Sequence, residues 1–78
     1  MYKHRYSEFV NTEELKRERK NKVLSIMDMA DLMGFKSKVT YYNIEIGVTE
    51  PKISHIAEIS KILGKSPKNF FNFNVQKN

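Results

Sequence analysis

The sequence predicts an all-α fold, a compact bundle of five short helices. Three observations lead there. Apolar residues recur at helical spacing along most of the chain, a residue able to cap a helix precedes each periodic segment, and the three glycines fall near the ends of periodic segments. Length agrees, because 78 residues bury only about 60% or a little more of their unfolded surface. That limit suits a helical bundle better than a five-stranded sheet or a large ligand cavity.

Residues 1–12, MYKHRYSEFVNT, show no sustained period and read as an N-terminal arm, with Tyr6, Phe9 and Val10 available to pack back on the domain. Asn11 and Thr12 are candidate N-caps, and Glu13 and Glu14 suit the positive end of a helix. The first helix is predicted over 13–22, with Leu15 and the stems of Lys16 and Arg19 covering a core. Ser25 is the next cap, with Asp28 three residues on as a capping-box variant. The second helix follows over 26–33, where Met29, Leu32 and Met33 form the inward stripe and Gly34 supplies a left-handed stop. A Met-rich stripe of this kind reads as adaptable core.

Ser37 caps the third helix, Tyr41 and Ile44 face inward, and Gly47 stops it. GVTEP is a turn, with Pro51 suited to the first turn of a fourth helix. In that helix Ile53, Ile56, Ala57, Ser60 and Leu63, with Ile59 beside them, give the cleanest amphipathic pattern in the chain, ended by Gly64. Ser66 and Pro67 open a short fifth helix anchored by Phe70 and Phe71. The folded unit is expected over 13–73, with 74–78 as a frayed tail.

Composition removes several function classes. There is no Cys, so disulfides and thiolate metal sites are excluded, and the two histidines, His4 and His55, lack clustered carboxylates. No nucleophile–base pair or phosphate-binding loop is visible, so neither an enzyme nor a cofactor is expected. No apolar run approaches the roughly 20 residues that span a bilayer, no secretory signal follows Met1, and the chain reads as cytoplasmic. Fourteen Lys and Arg against nine Asp and Glu leave a net charge of +5. On so small a domain that surplus favours nucleic acid or an anionic surface as partner, solubility being the other reason small domains are basic.

Five helices in this order, with a Gly-containing turn between the second and third, describe a helix-turn-helix domain. From about Leu15 to Phe71 the chain also resembles the phage repressor and Cro type of helix-turn-helix, the Xre family, with its lambda-repressor-like DNA-binding fold. LKRER, LSIMDMADLMGF, IEIG and EPKISHIAEISKILGKSPKNFF carry the resemblance through their order and spacing. Ala30 falls where the second and third helices cross, which requires a small side chain, and Gly34 sits where the turn needs a left-handed backbone.

The register contains one extra residue between the turn glycine and the final Ile-Glu pair. Without a gap, Thr40 and Asn43 would be buried, a poor use of polar groups. Placing the extra residue at about Lys36 turns Tyr41 and Ile44 inward and leaves Lys38, Val39, Thr40, Tyr42 and Asn43 outward. The resemblance implies that these five meet base edges in the major groove of double-stranded DNA. Lys38 can donate to guanine, Asn43 can pair with adenine, and Val39 or Thr40 can touch a thymine methyl. It likewise implies phosphate contacts at Ser25, Ile26, Lys36, Ser37 and Lys52, and a structural ion pair between Arg19 and Glu45.

Departures from the family pattern thin the phosphate-holding surroundings. Ile26 replaces a frequent Gln, Ile46 replaces a polar residue, and Val48, Thr49 and Glu50 stand where basic residues usually follow. Lys36, Lys38 and Lys52 can compensate, as can Arg17, Lys20 and Lys22. The leading expectation is a sequence-specific transcriptional regulator, a repressor of phage or mobile-element type, with no small-molecule substrate. A domain this small reads few base pairs, so a homodimer is expected, joined through Phe71 and Phe73. The alternative is a protein-binding adaptor of the same fold, antirepressor or antitoxin-like, using an apolar patch of Ile26, Ile46 and Val48.

Overall fold

The computed structural model describes residues 10–71. Tyr6, Phe9 and Phe73 lie outside that span. Helices α1 (Thr12–Asn21), α2 (Ile26–Leu32), α3 (Lys38–Glu45) and α4 (Ile53–Leu63) are followed by a 3₁₀ helix over Pro67–Phe70. The expected fifth α-helix is therefore a single 3₁₀ turn. Four residues cannot develop the 1–5 bonding of an α-helix, and Phe71 is already extended, bridged antiparallel to Val10. The Asn11 N–H donates to the Phe70 carbonyl at 2.8 Å. Val10, ahead of the first helix, is therefore buried in the core.

Capping follows the local sequence closely. The Asn11 side chain accepts from the Glu14 N–H, and Ser25 and Asp28 form a reciprocal capping box. Ser37 accepts from the Val39 N–H at 3.1 Å, which fixes the start of α3. The turn between α2 and α3 runs through Gly34 at φ +79°, and Gly47 at φ +85° ends the α3 segment. Both conformations are cheap for glycine and costly for other residues. Pro51 lies outside α4 instead of in its first turn, because Lys52 takes the N-cap position.

Leu15, Met29, Ala30, Tyr41, Ile44, Ile56, Ile59, Leu63 and Phe70 build one core with Val10. Tyr41 and Ile44 are inside while Thr40 is exposed, so the extra residue does lie in the turn before α3. On α2 the inward positions are Met29 and Ala30, with Ile26 and Met33 partly buried beside them; Leu32 is 54% exposed. The set 26, 29, 30, 33 makes a single helical arc, and Leu32 falls off its edge. Lys16 on α1 is also exposed. In α4 the buried set is Ile56, Ile59, Ser60 and Leu63, whereas Ala57 is exposed and Ile53 is 77% exposed. Ile53 opens its helix, and a helical side chain leans toward the N-terminus, here past the packed body.

Arg19 connects three segments. Its Nε donates to Glu45 Oε1 at 2.8 Å and its Nη2 to Glu45 Oε2 at 2.9 Å, while Nη1 reaches the Leu24 carbonyl at 2.7 Å. The side chains of Arg19 and Glu45 are both buried, and the hydrogen bond to Glu45 raises the arginine pKa. Beside them the Tyr41 hydroxyl is buried without a hydrogen-bond partner among the described residues. Burial first, and the nearby Glu45 charge second, hold that phenol far above its ordinary pKa.

Two consequences can be measured by chemical denaturation. Arg19→Leu strands the Glu45 carboxylate and should cost about 3–5 kcal/mol at neutral pH. The second concerns Val23, a β-branched residue at φ +60° whose side chain is 87% exposed. Such a residue is strained in the left-handed region and gains little from packing there. Val23→Asn should raise stability by about 1 kcal/mol, a direction opposite to most substitutions.

Candidate nucleic-acid interface

The outward face of α3 is set from below. Tyr41 and Ile44 key the helix into the core, Ser37 fixes its first turn, and Arg19 holds its last residue, Glu45. With those three points fixed, Lys38, Val39, Thr40 and Tyr42 project outward and are exposed. Asn43 is only half-exposed, and its carbonyl accepts the N–H groups of Val48 and Thr49, which folds the chain back after the helix. Its side chain therefore works from the margin of the face.

Between α2 and α3 lies a groove lined by Ile26, Lys38, Val39 and Tyr42, with almost wholly apolar walls. Ile26 and Tyr42 also border an adjoining crevice with Thr12, Glu13, Lys16, Arg19, Glu45 and Ile46. Four residues singled out from the sequence for DNA contact are thus brought together, three expected at bases and one at phosphate. Ile26 enters as an apolar wall, half-buried against the core. Val39 and Tyr42, three apart on α3, form the facing wall.

The N-terminus of α2 is electrostatically less open to an anion than the sequence suggested. Asp28 accepts the Ser25 N–H at 2.8 Å, and the Ser25 hydroxyl accepts the Asp28 N–H at 2.9 Å. The bond from the Ser25 N–H first, and the Ser25 side chain second, hold the Asp28 carboxyl below its ordinary pKa, so a full negative charge sits beside Ser25 and Ile26. Lys36 and Ser37 lie exposed just before α3, and the exposed Lys52 N-caps α4, its N–H donating to His55 Nδ1 at 3.4 Å. His55 in turn meets the edge of the Phe35 ring, centroids 5.3 Å apart.

Of the alternative apolar patch, Ile46 and Val48 are 45% and 46% exposed while Ile26 packs partly on the core. Phe71 is partly buried against the core next to Val10. Among the described residues, no helix is long and apolar enough to cross a membrane, and no group of His, Asp and Glu could hold a metal ion.

None of the curated proteins compared matches the chain. A helix-turn-helix family description matches residues 15–70, from the first core leucine to the phenylalanine that closes the core. By that match, spanning most of the chain, the protein belongs to the Cro and repressor type of helix-turn-helix family, a family of DNA-binding transcription regulators.

Proposed function

We propose that the chain is a sequence-specific repressor of phage or mobile-element type that inserts α3 into the major groove as a homodimer. One observation carries this reading: α3 is pinned at its cap, its core face and its last residue, leaving a rigid outward face of Lys38, Val39, Thr40 and Tyr42. Base readout requires side chains held in register on a duplex, and such anchoring supplies that. Lys38 donates to a base acceptor in the major groove, Thr40 presents a hydroxyl and a methyl, and Asn43 reaches an adenine from the margin.

Lys36, Ser37 and Lys52 hold phosphates, with Ser25 and Ile26 contributing backbone N–H groups at the start of α2. The charge of Asp28 weakens that last contact, so affinity for random DNA is modest and depends on the lysines. Two chains bind one operator, with the half-exposed ring of Phe71 and with Phe73 at their junction. A repressor of this kind acts by occupying the operator and needs no chemistry of its own.

A second reading, a protein-binding adaptor, is favoured by the exposure of Ile46 and Val48. Titration of random duplex across a salt series separates the two. The regulator binds at low salt with affinity falling as a power of salt concentration, and two chains bind each selected site. Lys38→Ala with Asn43→Ala should remove at least about tenfold of the preference for that site over random sequence. Failure to bind duplex DNA even at low salt sinks the regulator and leaves the adaptor.

A further inference from the structure

We infer that the groove between α2 and α3 is a reader of thymine, taking the 5-methyl group against Ile26, Val39 and Tyr42 while Lys38 donates to the neighbouring O4. This rests on the reading of α3 as the base-contacting helix and adds what that helix selects.

The groove offers a base edge almost nothing polar. Its walls come from Ile26, Val39, Tyr42 and the stem of Lys38, and they are almost free of polar atoms. A base edge pressed into such a wall loses water from every donor and acceptor that finds no partner, and each loss is unfavourable. Adenine and guanine present only donors and acceptors in the major groove, and cytosine presents an N4 donor that the Lys38 ammonium cannot accept, so each would leave polar atoms unpaired there. Thymine alone presents a methyl group, with one acceptor, O4, beside it. The groove offers the matching pair, an apolar wall and a single cationic donor at its rim.

Construction supports the same occupant. Ile26 belongs to α2 and is held by its partial burial against the core, next to the capping box of Ser25 and Asp28. Val39 and Tyr42 belong to α3, whose position the Arg19–Glu45 pair fixes. The two walls come from separate helices that pack on each other, so the width of the groove is set by the fold. A volume of about 310 Å³ leaves ample room for a methyl, which is comparable in size to a water molecule at roughly 30 Å³. The positive rim suits a polyanion and disfavours insertion of a basic peptide.

The test uses the full chain and a duplex it selects from a random pool. Each thymine is replaced in turn by deoxyuridine, which deletes only the methyl group. At one position in each half-site the replacement should weaken binding about fourfold, the worth of one buried methyl. Val39→Ala, at an exposed position that does not threaten folding, should bring the thymine-to-uracil ratio there toward one. Selected sites without a shared thymine, or uniform indifference to every uracil, overturn the inference while specific DNA binding stands. Absence of duplex binding at low salt overturns both this inference and the regulator reading beneath it.

Discussion

The Arg19 guanidinium is the constraint on which the arrangement of the first three helices depends. It spends its two faces on different partners: a two-pronged bond to Glu45 at the end of α3, and a bond to the Leu24 carbonyl in the connection to α2. The carbonyl of Arg19 itself receives the Leu24 N–H at 3.1 Å. One residue of α1 therefore fixes both the path into α2 and the far end of α3. A hydrophobic contact could bury equal area, but it has no direction and would let α3 slide or rotate. The directional fork sets the rotation of α3, and with it which side chains meet solvent.

That rotation decides the chemistry of the exposed face. Tyr41 and Ile44 go inward, so the outward positions pair a cationic residue with apolar and hydroxyl-bearing ones. The surroundings are leaner in positive charge than the net charge suggests, because Asp28 stands at the head of α2 and Glu50 follows the Val48–Thr49 turn. Affinity and selectivity are thereby separated. On the proposed reading, the scattered exposed lysines attract a polyanion, whereas the α2–α3 groove discriminates between bases by shape and polarity.

Features that depend on neighbouring residues alone were legible in the sequence. Ser25 with Asp28, Ser37 before α3, and the glycines at 34 and 47 do in the structure what their types dictate. The inward turn of Tyr41 and Ile44 was also legible, because the other register would have buried Thr40. Features that depend on what lies opposite were not. Leu32 and Ile53 fit an apolar period but stay exposed among the described residues, and Ser60 is buried with its hydroxyl donating to the Ile56 carbonyl at 2.8 Å. Val23 could not have been placed by propensity, since its backbone contradicts the preference of a β-branched residue. The groove lay hidden for a similar reason: Ile26 is thirteen residues and one turn away from Val39 in sequence, and only packing of α2 on α3 makes them walls of one space.

The clasp between Val10 and Phe71 has a kinetic meaning. It joins the first and last residues of the described body through an antiparallel bridge and the bond from Asn11 to Phe70. Closing so long a loop costs more chain entropy than docking α2 on α3, so the clasp is expected to form after that docking. When it opens, Val10 and Phe70 leave the core together, while the Arg19 fork still holds the three helices above them. The three-helix unit is thus closed at its base by a latch, and Phe71 is one half of that latch.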